Sequence, residues 1–173
     1  ITAYAEELLS YEGLEWPERV KIMQRNWIGK SEGVQFRFAI KDSQETFEVF
    51  TTRPDTIFGV TFAVLAPEHA LVAAITSPDR KDAVEKYIEH ARTLGEIERM
   101  RTERERTGAF TGAYAINPLS GEAVPVYIAD YVLAGYGTGA IMAVPGHDSR
   151  DFDFAKGAGL EIRQAVSYTH LRA

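Results

Sequence analysis

The chain has 173 residues, enough for one domain with a real core, and its 45% apolar and 25% charged content is that of an ordinary soluble globular protein. No apolar run approaches the length of a membrane span, no charged-then-apolar signal segment is present, and the lack of cysteine excludes disulfides and thiolate chemistry while leaving the redox compartment open. A net charge of −6 argues against a protein that grips long stretches of nucleic acid backbone, but leaves room for a single nucleotide at a strand end.

In chain order, residues 1–9 place Ala5, Leu8 and Leu9 on one helical face, with Gly13 as a nearby terminator. Pro17 suits the first turn of a second helix that carries Val20, Met23 and Trp27 at helical spacing, a face for core or interface. Residues 25–33 read as a linker into a new unit. Val34, Phe36, Phe38 and Ile40 alternate with polar neighbours, and a second strand from Thr46 to Thr51 completes a hairpin. A third strand is expected at 59–66 and a short helix at 67–75. Ser77-Pro78-Asp79 reads as N-cap, first-position proline and first-turn acid of a helix facing inward with Val84, Tyr87, Ile88 and Ala91. Glu98, Arg99, Arg101, Glu103, Arg104, Glu105 and Arg106 predict a solvated helical face.

Strands follow at 110–116 and 124–132, around the turn Asn117-Pro118-Leu119-Ser120-Gly121. Ala140 to Val144 is a short apolar run fit for a buried strand, 152–156 a short helix, and 160–166 a last strand. Residues 167–173 fit no element and read as a disordered or appended tail. Six or seven strands with three to five helices and no regular βαβ alternation predict an α+β fold around a mixed sheet or small barrel. The expected organisation is a helical segment and hinge at 1–33, a core at 34–166 and the tail. A start at Ile1 rather than Met is what a piece of a longer protein would show.

Two stretches concentrate chemistry. Tyr136 to Ala155 reads YGTGAIMAVPGHDSRDFDFA: a glycine turn, an apolar strand, a Pro-Gly break, then His147, Asp148, Arg150 and Asp151 at a helix mouth. Backbone N–H groups and short polar side chains converge at such strand–turn–helix junctions. Asp148 also suits an N-cap, and Asp151 the acid of a capping box, and both favour the positive end of the helix dipole. The second stretch, FTTRPDTIFG, closes one strand and leads into another.

Together these segments resemble the two signatures of the editing domain of leucyl-tRNA synthetase, a class I synthetase family. The relatives for isoleucine and valine carry a threonine-rich and a GTG…PGH segment too, but TTRPDT with AIMAVPGHDSRDF is similar to the leucine enzyme in particular. The resemblance covers about residues 25–159. It implies a strand-rich core decorated by helices, and hydrolysis of the ester that joins a wrong amino acid, such as norvaline or isoleucine, to the terminal adenosine of tRNA(Leu). A methylene changes binding by only about 1–3 kcal/mol, so a synthetic site cannot reject near-isosteres alone and a second, hydrolytic site must.

Residue by residue, the resemblance makes Asp151 the anchor for the substrate ammonium. Thr51 and Thr52 hold the water and the developing oxyanion. Arg53 reaches the terminal nucleotide or pairs with Asp55. Thr56 excludes leucine by bulk, Met142 and Val144 line the amino-acid pocket, and Tyr136, His147 and Asp148 lie toward the nucleotide. Without the resemblance, the threonines satisfy strand propensity, Arg53–Asp55 is a local ion pair, and Met142 and Val144 are core.

With no G-x-S-x-G elbow and no cysteine, the nucleophile is water, with His147 a lesser candidate base. No metal and no cofactor are expected. The absence of HIGH-type and KMSKS-type segments assigns ATP to a synthetic core that this stretch lacks. The partners implied are the 3′ terminal aminoacyl-adenosine of tRNA(Leu) and the rest of the parent synthetase. No membrane is involved, and a cytoplasmic monomer is expected. Exposure of Trp27 would mark the former interface with the core, and the charged run at 98–106 a minor tRNA-contacting surface. Three rivals remain: a non-catalytic tRNA-docking insert, an isoleucyl or valyl editing domain, and a histidine–aspartate metal phosphohydrolase. His69, His90 and His170 lack the ligand spacing that the last requires.

Overall fold

A computed structural model describes residues 2–30, 32–99, 101, 105–135 and 137–167. The chain divides into two compact units, Ile1–Glu32 and Gly33–Ala173.

In the first unit the apolar residues find little to bury against. Two 3-10 turns, Thr2–Tyr4 and Glu7–Leu9, stand where the sequence predicts one helix, and Leu8 is exposed. A helix this short is marginal without a partner face. Helix α1 (Glu18–Ile28) begins after Pro17 and ends at Gly29 in the left-handed conformation, so Arg25 to Ile28 are helical rather than linker. The Tyr11 hydroxyl donates to the Lys21 carbonyl at 3.1 Å, and Lys30 pairs with Glu6 at 3.4 Å. No residue of α1 is buried, and Met23 and Trp27 are 70% and 88% exposed.

The second unit is built on six strands. The predicted hairpin forms from β1 (Val34–Ile40) and β2 (Thr46–Thr51), with Phe38 opposite Phe47 and their rings stacked at 5.5 Å. Strands β3 (Phe62–Leu65), β4 (Gly108–Ile116), β5 (Ala123–Ala129) and β6 (Ala140–Ala143) complete a sheet of order β2-β1-β4-β5-β3-β6. The ladders are antiparallel except for β3–β5, which is parallel. Residues of the outer strands β2 and β6 come within 8 Å, Cα to Cα, so the sheet curls its two ends together. This is the α+β, mixed-sheet architecture that the element count predicts.

Period-two alternation sorts the strands into two apolar layers. Ala63, Leu65, Val126, Ile128, Met142 and Val144 join one cluster with Phe38 and Val49. Phe62, Val64, Ala129 and Ala143 join another, capped by Phe154 and Ala155 of the helix α5 (Ser149–Ala158). Each large apolar side chain so buried contributes about 1.5–3 kcal/mol.

Several expectations are corrected. The segment after TTRPDT is first a 3-10 turn (Pro54–Gly59), and β3 starts only at Phe62. The helix expected at 67–75 shrinks to α2 (Val72–Ile75), because His69 Nδ1 accepts the Leu71 N–H at 3.1 Å and holds the preceding residues in a turn. Ser77 does not cap α3 (Lys81–Thr93): its hydroxyl donates to Asp79, its carbonyl accepts the Arg80 N–H, and the helix begins after that turn. The inward face of Val84, Tyr87 and Ile88 forms as read.

The charged run departs most. Among the described residues of the run only Glu96–Arg99 is helical (α4), and Arg99 and Arg106 are 5% and 9% exposed, not solvated. Glu103, Arg104 and residues 168–173 lie outside the described residues. Finally, 160–166 forms no strand; its backbone is bound differently, through the side chain of His147.

Candidate active site

The first signature lies where β2 ends. Thr51 is half-buried, and its Oγ1 accepts the Arg53 N–H at 3.0 Å, which starts the turn. Thr52 and Arg53 are exposed. The Arg53 guanidinium grips Asp55 through two bonds, of 3.0 and 2.9 Å. That hydrogen bond is the main reason the Asp55 carboxyl lies below the usual carboxylate range. Thr56 is 3% exposed and its hydroxyl donates to the Arg53 carbonyl at 2.8 Å. With the hydroxyl proton spent inside the turn, Thr56 offers a neighbour its methyl group and bulk rather than a donor. Asn117 fixes the turn from across the sheet, its Nδ2 donating to the Ile57 carbonyl at 2.9 Å while its Oδ1 accepts from Leu119 and Ser120.

The second signature lies where β6 ends. The Val144 carbonyl accepts the N–H groups of His147 and Asp148, at 2.9 and 3.0 Å, folding the Pro145-Gly146 turn. Asp148 is the N-cap of α5, accepting from the N–H of Arg150 and of Asp151 and pairing with the Arg150 guanidinium at 3.0 Å. The capping expectation therefore holds for Asp148.

It fails for Asp151. A capping-box acid would reach back to the Asp148 N–H, but that N–H is already bonded to Val144. Instead the Asp151 carboxylate, only 5% exposed, accepts the Val144 N–H at 2.9 Å on Oδ2 and the Tyr131 hydroxyl at 3.2 Å on Oδ1. Burial, and then the neighbouring Asp148 charge, raise its pKa to about 7, against the opposing pull of the Val144 N–H, Arg150 and Tyr131.

Several contacts join the two signatures. The Thr61 N–H donates to the Ala143 carbonyl, and Ala63 faces Met142 across the β3–β6 ladder. Gly59 lies so close to Val144 that an added Cβ would stand 3.2 Å from Val144 Cγ1, and 2.7 Å from Ala165 Cβ. Met142 and Val144, 8% and 6% exposed, share the first apolar cluster with Ile57, beside Thr56.

His147 holds structure together: its Nε2 accepts the N–H groups of Ala165 and Val166, at 2.9 and 3.2 Å. Those bonds take residues 160–166 out of the sheet and require Nε2 to be unprotonated, with the ring proton on Nδ1. Tyr136, assigned toward the nucleotide by the resemblance, lies outside the described residues. Among the described residues no group of three or more His, Cys, Asp or Glu could hold a metal ion, and no helix is long and apolar enough to cross a membrane.

The family model described as "Leucyl-tRNA synthetase, editing domain" matches residues 25–172. The chain belongs to that family. It is 60% identical over 167 residues to the leucine--tRNA ligase of Rubrobacter xylanophilus, a match that covers 96% of this chain and 20% of the relative. A solved relative is the agnB2 LeuRS of Agrobacterium radiobacter K84, crystallised as a ternary complex with tRNA and LeuAMS. It is 42% identical with a TM-score of 0.78, over 99% of this chain and 21% of that one. The chain thus spans about a fifth of the length of these relatives. The leucine-specific editing domain is favoured over the isoleucyl and valyl alternatives and over the phosphohydrolase.

Sequence reasoning missed Tyr131, Asn117 and the two buried arginines. Asn117 was legible only as a turn residue, since its partner Ile57 is 60 residues away. Nothing local marks Tyr131 or Arg99, whose partners lie 20 and 31 residues away along the chain.

Proposed function

We propose that this chain is the post-transfer editing site of a leucine--tRNA ligase, hydrolysing the ester between a wrong amino acid and the terminal adenosine of tRNA(Leu). The observation that carries the reading is Asp151. Its carboxylate is buried, has two partners among the described residues for about four lone-pair sites, and is pulled to a pKa of about 7. A substrate ammonium brought beside it restores its charge and forms a charge-assisted bond. An N-blocked or uncharged substrate cannot do this.

Thr51 and Thr52 then place the attacking water and donate to the oxyanion, with Thr51 shaped by its bond to Arg53. Arg53, exposed and steadied by Asp55, faces the terminal nucleotide together with Asp148. Thr56 supplies bulk at the mouth of a pocket walled by Met142 and Val144. The nucleophile is water, no cofactor of the chain's own is needed, and the protein works as a monomer in the cytoplasm with the rest of its synthetase as partner. The exposed Trp27 and Met23 belong to that partnership.

The test is hydrolysis of norvalyl-tRNA(Leu) and leucyl-tRNA(Leu) by the chain within its synthetase. Release of norvaline with retention of leucine supports the reading. Inertness toward every mischarged tRNA would leave a docking insert.

A further inference from the structure

Two arginines of the charged run, Arg99 and Arg106, are buried and form a second layer behind Asp151. Arg99 is 5% exposed and surrounded: its Nε donates to the Asp130 carbonyl at 2.7 Å and its Nη2 to the Val132 carbonyl at 2.9 Å. Its Nη1 pairs with Glu68 at 2.7 Å. The two carbonyls flank Tyr131, so one guanidinium fixes the backbone on both sides of that residue. The Arg106 guanidinium sits 5.8 Å from the Tyr131 ring centroid, and the Phe154 ring lies 6.0 Å away. Tyr131, itself 8% exposed, is thereby locked with its hydroxyl 3.2 Å from Asp151 Oδ1.

We infer that Tyr131 is a positioning residue for editing: clamped by Arg99 and Arg106, it holds the Asp151 carboxylate in one orientation and keeps it ready to receive the substrate ammonium. The inference rests on the editing function proposed above. A phenyl ring in this place would fill the same volume and pack on Phe154 equally well. The hydroxyl is the part that packing does not explain, because it is buried and its described partner is the carboxylate. A donor aimed at an ionised carboxylate favours the charged form, and burial with the Asp151 charge nearby holds the phenol protonated, its pKa well above the ordinary tyrosine value.

The groups that face Asp151 are few enough to separate. Asp148 opposes its ionisation, while Arg150, the Val144 N–H and the Tyr131 hydroxyl favour it. Tyr131→Phe removes one of these and leaves the other three.

The experiment compares Tyr131→Phe with the unaltered protein in the full synthetase, on norvalyl-tRNA(Leu), from about pH 5.5 to about pH 8.5. Losing a hydrogen bond to a charged group moves the acid limb of the profile up by about one to two pH units and so lowers deacylation at neutral pH by about five- to fiftyfold. The titration of Asp151, followed by the NMR shift of its carboxyl carbon, moves in the same direction without any reference to activity. A lowered melting temperature with an unmoved acid limb and carboxyl titration would overturn the inference and leave Tyr131 as packing. An unaltered protein inactive on norvalyl-tRNA(Leu) would strike at the editing function instead. A carboxyl titration that still moved in the variant would then uphold the positioning contact, and an unmoved one would overturn it.

Discussion

Replacing Asp151 by asparagine should stabilise the protein at neutral pH while abolishing its chemistry. The Asp151 carboxyl titrates at about 7 in the folded chain against 3.8 as the ordinary value. Between those limits the folded state keeps a proton that the unfolded state has released. Stability is therefore full below about pH 4 and declines as pH rises toward 7. At about 1.36 kcal/mol per unit, a shift of about three units is worth about 4 kcal/mol. Asparagine is neutral throughout and can accept the Val144 N–H and bond the Tyr131 hydroxyl. It forfeits only the favourable first-turn charge of α5, about 0.3–1 kcal/mol. The net gain of about 3 kcal/mol corresponds to a melting temperature higher by about 6–12 °C at pH 7 for a chain of this size. Thermal unfolding of both proteins from pH 4 to pH 8 reads the effect directly: the curves should converge in acid and separate toward neutrality. An asparagine variant that melts lower at pH 7, or by the same amount at every pH, would refute the reasoning and return Asp151 to a structural role.

Thr56→Ala should admit leucine: its bulk is lost while Thr51, Thr52 and Asp151 stay, so the variant synthetase should deacylate leucyl-tRNA(Leu) and keep its activity on norvalyl-tRNA(Leu). Thr56→Tyr should block both, and selectivity that survives Thr56→Ala would pass to Met142 or Val144. Arg99→Ala should destabilise by about 1–3 kcal/mol in urea titration, because the buried Asp130 and Val132 carbonyls lose their donor, while Glu68, a third exposed, can turn to water. A cost under about 1 kcal/mol would mean that Arg99 is solvated after all.

The sheet was legible because its signal is local. Alternation in β1 and the length and β-branching of the other runs depend only on neighbours in sequence, and they returned the hairpin, the mixed sheet and the apolar strand before PGHD. What escaped depends on partners far along the chain. Residues 160–166 have strand composition, but N–H groups at their end are spent on His147 Nε2, and glycines at 59 and 146 let that segment lie against the turns. Arg99 reads as solvent-facing until Glu68 and two carbonyls are seen around it. At the site, residue types alone left Asp151 a capping candidate and the threonines strand formers, and it was the resemblance that gave them roles. Geometry then separated Asp148, a true N-cap, from Asp151, a buried carboxyl aimed elsewhere, although three residues apart they look like one capping box.

The claim at the centre is that Asp151 receives a substrate ammonium. Calorimetric titration of the protein with an adenosine carrying a 3′-linked norvaline, alongside its N-acetylated counterpart, tests it most directly. Acetylation removes the charge that the carboxyl recognises and should weaken binding at least about tenfold, the fold-change of a charge-assisted hydrogen bond. The gap should close in Asp151→Asn. Equal affinity for the free and acetylated compounds in the unaltered protein would contradict the account.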